Sequence, residues 1–179
     1  MPKIIEHLRQ DLLACAADIL QKDGYDALTL RRVAAACHIA VGTTYNYFPS
    51  KDVLAASAML QDWLRALEDM QKHSGDAQTV SDALRAVYDG IAGFTQLYSK
   101  VWNEYSASAG IVPFLRARHQ TLIGQLETVI EPQLERFDCL FCSALPGFLA
   151  EMLLSYATGC SVSFDELLPI LHKLCAAVK

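Results

Sequence analysis

From Val41 to Phe48 the chain reads Val-Gly-Thr-Thr-Tyr-Asn-Tyr-Phe, a run rich in hydrogen-bonding and aromatic groups with almost no bulky charge. At helical spacing Ile39, Thr44 and Phe48 share one side, which leaves Gly42, Thr43, Tyr45, Asn46 and, more obliquely, Tyr47 on the other. A helix of this length is about 12 Å long at 1.5 Å per residue, and a DNA major groove about 12 Å wide accepts it. Arg31, Arg32 and Lys51 flank the run, where cations can meet phosphate oxygens.

These groups need elements to hold them. Thr29 can N-cap a short helix in which Leu30, Val33, Ala34 and Cys37 recur at helical spacing, and which stops near His38. Pro49-Ser50 ends the second helix. Ser50 then caps a third, with Asp52 in its first turn, where the helix dipole favours negative charge. A short helix, a tight turn, a short helix and the capped start of a long one is a helix-turn-helix arrangement. Such a unit is too small to bury a core of its own, so its outward side carries the interest.

The segment resembles the DNA-binding part of the tetracycline-repressor (TetR) family of bacterial transcription regulators. The matching residues are Gly24-Tyr25, Thr29, Val33-Ala34, Ile39, Gly42-Thr43, Tyr45, Tyr47-Phe48 and Lys51-Asp52 with Leu54, and they cover about the first third of the chain. The resemblance implies an all-α fold: an N-terminal three-helix helix-turn-helix DNA-binding domain over 1–52 and a helical effector-binding and dimerisation domain over 53–179. It further implies a homodimer on a double-stranded palindromic operator, repression as the usual outcome, and a small-molecule effector. Arg31 would make base or phosphate contact, and Val41, Gly42, Thr43 and Asn46 would lie near base edges. Tyr45, Tyr47, Lys51 and Thr29 would hold the DNA backbone.

Three residues depart from the family pattern: His38 where the turn usually has Gly, Ala40 where a capping Ser is common, and Thr44 where a buried aliphatic residue is usual. Histidine tolerates positive φ. Ala40 gives up a cap worth about 1 kcal/mol. Thr44 is expected to bond its hydroxyl back to a carbonyl one turn earlier. These departures sustain an alternative, a helical ligand or redox sensor or interaction protein without DNA binding.

The 179 residues are 53% hydrophobic and only 20% charged, so much apolar surface must be hidden in a core, a pocket or a subunit contact. No apolar stretch reaches the roughly 20 residues a bilayer needs, and no signal-peptide pattern opens the chain, so a cytoplasmic protein without a membrane partner is expected. Residues 1–52 are neutral, with six Lys/Arg against six Asp/Glu, and the net charge of −5 belongs to the remainder. That counts against DNA binding, but cations placed within the motif outrank net charge. The six cysteines read as free thiols. On a helix Cys139 and Cys142 would share a face and could bind a metal or sense oxidants, but packing as small apolar residues is the favoured reading.

Beyond the motif the chain reads as helix after helix. A first helix carries Leu8, Leu12, Cys15, Ala16, Ile19 and Leu20 and ends at Gly24. The helix from Ser50 should run to about Lys72, with Leu64 among its inward residues, before a break at His73 to Asp76. A fifth should begin near Thr79 and continue or bend at Gly93, and another should run from Pro113 to before Pro132. The last two, about 143–158 and 163–178, are apolar on more than one side. One side suits the chain's own core and the other a second copy, with Leu171 taken as outward. Trp63, Phe94, Tyr98, Trp102, Tyr105, Phe114 and Tyr156, with Met152, could line an effector cavity, although each is also plausible as ordinary core. No catalytic residues, metal ligands or cofactor site emerge: there is no phosphate-cradling glycine loop and no paired metal-binding histidines, so an enzyme is not expected.

Overall fold

The computed structural model describes residues 6–106, 112–159 and 163–176. Every regular element among them is an α-helix: α1 (Glu6–Asp23), α2 (Leu30–Ala36), α3 (Val41–Tyr47), α4 (Lys51–Asp76), α5 (Val80–Leu97), α6 (Ser99–Ser106), α7 (Val112–Arg136), α8 (Leu145–Gly159) and α9 (Phe164–Ala176). They form two compact units. Met1–Leu64 and Gln96–Ala109 make the first, Arg65–Thr95 and Gly110–Lys179 the second. The division falls within α4 and near the end of α5, so the expected cut after residue 52 lies inside the first unit.

In the first unit α1 packs on α2 and α6, and α2 on α3. Leu12, Leu20, Leu28, Val33, Phe48 and Leu54 are fully or almost fully buried there, the apolar sides of four successive elements meeting in one core. Trp63 and Tyr98 are buried in the same unit. Asp62 of α4 joins three elements, since it accepts from Gln21 Nε2 of α1 at 2.9 Å and from the Tyr98 hydroxyl at 2.7 Å. That bond explains where α5 ends. The helix passes through Gly93 and breaks at Tyr98, whose ring goes into the core while its hydroxyl reaches Asp62.

In the second unit α7 packs along α8. Gly147 lets the Glu127 carboxylate lie against the backbone of α8. Leu126, Ile130 and Leu134 of α7 and Leu149, Leu153 and Leu154 of α8 supply core residues. On α9, Phe164 sits 5.4 Å from the Tyr88 ring and under the Arg85 guanidinium, which also pairs with Asp165. Glu166 ties down the start of α9: its Oε2 accepts from the Ser163 backbone N–H at 2.7 Å and from the Ser163 hydroxyl at 3.2 Å.

Several helix ends differ from the sequence reading. α4 runs to Asp76 because its last carbonyls find a partner: Arg136 donates to Gly75 O at 2.6 Å and to Ala77 O at 2.9 Å. α7 passes through Pro132, which is exposed, because Gln133 and Leu134 beyond it are buried. It ends at Arg136 and is closed by Asp138, at φ 55°, with Cys139 N bonded to Leu134 O at 2.8 Å. Cys139 and Cys142 therefore lie in a loop and share no helix face; the first is buried and the second exposed. Leu64 is exposed, not inward. Leu171 is 1% exposed and belongs to the core, whereas Phe148 and Ile170 stand out at 56% and 50%. Cys160 and the segment beyond Ala176 lie outside the described residues.

Candidate nucleic-acid interface

The α2–α3 unit is built as its local chemistry dictates. Thr29 Oγ1 accepts the Arg32 N–H at 3.1 Å and opens α2. The helix closes at His38, at φ 55°: His38 N bonds Ala35 O at 3.2 Å and Ile39 N bonds Ala34 O at 2.9 Å, a Schellman closure with histidine in the left-handed position. Ala40 begins α3 with no side-chain cap. Ser50 Oγ receives the Val53 N–H at 3.2 Å and starts α4.

α3 presents the surface expected of it. Gly42, Tyr45 and Asn46 are exposed, Tyr45 at 55%; Val41, Thr43 and Tyr47 are half-buried; Thr44 and Phe48 are buried. Thr44 differs in one respect. Its Oγ1 has no hydrogen-bond partner among the described residues, so the expected bond to a carbonyl one turn earlier is not made.

The flanking cations fall into distinct states. Arg31 is exposed. Arg32 is paired with Asp23 and donates to Ala27 O at 3.4 Å, so it also braces the loop before α2. Lys51 Nζ stands 3.9 Å above the Tyr25 ring, a cation–π contact. The Tyr25 hydroxyl bonds Asp52, so one side chain fixes both residues at the start of α4. Arg9 of α1 lies 5.5 Å over the Phe48 ring, adding an exposed cation near the end of α3.

Two supports escaped the sequence reading. Glu104 of α6 takes the Tyr25 N–H at 2.5 Å and the Asp26 N–H at 3.1 Å, while Lys100 donates to Lys22 O at the end of α1. Nothing local in the sequence signals these pairings, which span more than seventy residues. The second is Cys15 and Cys37, whose sulfurs lie 3.2 Å apart.

The candidate effector residues are not all brought together. Trp63, Tyr98 and Trp102 belong to the first unit, and Phe94, Met152 and Tyr156, half-buried, to the second. The side chains of Tyr105 and Phe114 lie outside the described residues. Among the described residues no group of three or more metal-ligating side chains occurs, and no helix is long and apolar enough to cross a membrane.

Residues 12–58 match the family model described as bacterial regulatory proteins, tetR family. The HTH-type transcriptional repressor KstR of Rhodococcus jostii (strain RHA1) is 40% identical over 57 residues, 32% of this chain and 27% of KstR. The chain thus matches little more than a quarter of that relative's length. Across nearly the whole chain the fold is similar to that of the TetR family repressor AlkX from Dietzia sp. strain DQ12-45-1b, with TM-score 0.61, 18% identity and coverage of 94% of this chain and 93% of AlkX. It is likewise similar to SmeT in a complex with triclosan, with TM-score 0.58, 17% identity and coverage of 97% and 93%. Residues 12–58 thus carry a helix-turn-helix of the TetR family, and the all-helical architecture of the chain is similar end to end to that of solved TetR-type regulators.

Proposed function

We propose that the chain is a DNA-binding transcriptional regulator, a cytoplasmic repressor that binds a palindromic operator as a homodimer and lets go when an apolar or aromatic small molecule binds its helical body. The observation that carries this reading is the α3 surface: Gly42, Tyr45 and Asn46 exposed in a row, with Lys51 held over Tyr25 beside them. Val41, Gly42, Thr43 and Asn46 read base edges, and Arg31 enters from the start of α2. Tyr45, Tyr47, Lys51 and Thr29 grip the backbone and set the register.

With residues 1–52 neutral in net charge, attraction to phosphate is modest, so a single head binds weakly. Two heads on one DNA compensate, since the second engages at high effective concentration. Phe148 and Ile170, large apolar side chains exposed on α8 and α9, supply the surface for a second copy. The two recognition helices then meet successive major grooves about 34 Å apart.

The effector arm draws on Phe94, Met152 and Tyr156 in the second unit, half-buried groups of the kind that line small-molecule sites. SmeT binds triclosan, an aromatic compound, on the same fold. A ligand acts only through its preference for the non-DNA state; a hundredfold preference equals about 2.7 kcal/mol.

The test is a gel shift on the DNA upstream of the chain's own gene, in low and moderate salt, with and without candidate apolar ligands. A retarded band lost on adding one ligand supports the full reading. No binding at low salt removes DNA recognition and favours a sensor that acts through partners.

A further inference from the structure

We propose that Cys15 and Cys37 are a dithiol oxidation site within the DNA-binding head, closed to a disulfide by a two-electron oxidant such as hydrogen peroxide, and that closure weakens DNA binding. The DNA half of this rests on the function proposed above; the chemistry of the pair does not.

The geometry is specific. Cys15 lies on α1 and Cys37 is the C-cap of α2, the residue before the His38 turn into α3. Their sulfurs are 3.2 Å apart, against about 2.05 Å in a disulfide, so bonding needs an approach of only about 1 Å. Both residues are half-buried, neither sealed in the core nor free to swing away, and a molecule the size of peroxide can reach them. Elsewhere, Cys139 donates to Phe137 O and Cys142 is exposed.

The hydrogen bond assigns the roles. Cys37 S–H donates to Cys15 Sγ, a hydrogen bond that would stabilise negative charge on the Cys15 sulfur. Burial first, and then the Cys15 hydrogen bond, push the Cys37 thiol up to about 12. Cys15 is therefore the attacking sulfur. Its thiolate attacks one peroxide oxygen, the O–O bond breaks, and a sulfenic acid forms on Cys15 with release of hydroxide, which takes up a proton as water. Cys37 sulfur then attacks the Cys15 sulfur, its S–H proton leaves with the departing hydroxyl as a second water, and the S–S bond forms. Two thiols and one peroxide give one disulfide and two waters.

The consequence follows from the position of Cys37. Drawing the end of α2 toward α1 displaces the turn that sets α3, and a recognition surface tolerates about 0.5 Å of misplacement. The effect should be about a tenfold loss of affinity, reversed by dithiothreitol.

The experiment treats the reduced full chain with hydrogen peroxide, blocks remaining thiols, digests with trypsin and seeks a cross-link between residues 10–22 and 33–51, the tryptic peptides holding Cys15 and Cys37. In parallel, affinity for a DNA duplex at low salt is measured before oxidation, after it and after reduction, for the parent, Cys15→Ser and Cys37→Ser. The linked peptide, with a reversible loss of affinity in the parent and none in either variant, is the expected result. Peroxide treatment that consumes thiols without the 10–22/33–51 link overturns the oxidation site. A link that leaves affinity unchanged overturns the control of DNA binding. A reduced parent that binds no duplex sinks the DNA-binding function, and the regulation with it, while the peptide map still decides the oxidation site.

Discussion

The Glu104 carboxylate accepts the Tyr25 backbone N–H at 2.5 Å, so a side chain on α6 holds the loop between α1 and α2. The same oxygen takes the Asp26 N–H at 3.1 Å, and the Glu104 carboxylate lies against Gly24, which stands at φ 87°. The left-handed backbone angle favours glycine there, and a Cβ would also crowd the carboxylate. Glu104→Ala strips an acceptor from two N–H groups and should cost about 1–3 kcal/mol, the value of a charge-assisted bond. Gly24→Ala should cost at least as much. Urea denaturation checks both, and a Glu104→Ala midpoint equal to the parent's would mean that water serves those N–H groups as well.

Lys51 over Tyr25 makes a prediction about DNA. Lys51→Ala should weaken binding on every sequence and reduce the salt slope by about one unit, because a phosphate contact positions without specifying. Tyr25→Phe keeps the ring under Lys51 but loses the bond to Asp52, so it should fall between parent and Lys51→Ala. Binding isotherms at several salt concentrations give both numbers. If Lys51→Ala keeps the parent's slope, this lysine touches no phosphate.

The Cys37 thiol offers a pH test. Its folded value is raised from 9.0 to about 12, so the fold favours the protonated thiol. That contribution is complete below about pH 9 and is lost as pH climbs toward 12, because the unfolded thiol ionises first. The parent should therefore lose stability relative to Cys37→Ser between pH 9 and 11. Urea midpoints of the two proteins that run parallel over this range would show that the thiol titrates normally.

What the sequence disclosed and what it withheld divide along physical lines. Thr29, Ser50, Gly24 and the alternation of Thr44 and Phe48 with Tyr45 and Asn46 are local signals, governed by residues within one or two turns, and they read correctly. The helix ends that misread are set from afar. Arg136 prolongs α4 from sixty residues away, and Tyr98 breaks α5 because its hydroxyl seeks Asp62. Nor does the sequence show that Arg32 pairs with Asp23. The Cys15–Cys37 approach needs the packing of α1 on α2, which no spacing rule supplies.

Dimerisation through α8 and α9 has a sharper test than Leu171, whose substitution would disrupt the core whether or not a dimer forms. Phe148→Glu and Ile170→Glu alter exposed positions, so the fold should survive while the subunit contact acquires an unpaired carboxylate. Sedimentation should show a dimeric parent and monomeric, still helical variants. A monomeric parent at micromolar concentration would remove the homodimer.

Thr44 is where stability can be gained. Its side chain is fully buried on the inner side of α3, and its Oγ1 has no partner among the described residues, so the hydroxyl lost its bonds to water and gained none in return. Thr44→Val keeps the β-branched shape and much the same helix propensity while replacing the hydroxyl with a methyl group. It should stabilise the chain by about 1 kcal/mol. Thr44→Ser keeps the hydroxyl and deletes a buried methyl, and should cost about 0.8 kcal/mol or more. Neither change touches the exposed residues of α3, so DNA affinity should stay at the parent's value in both. Thermal melts that rank valine above threonine above serine support an orphaned hydroxyl at the base of the recognition helix. A valine variant less stable than the parent would mean that the Thr44 hydroxyl is hydrogen-bonded in solution after all.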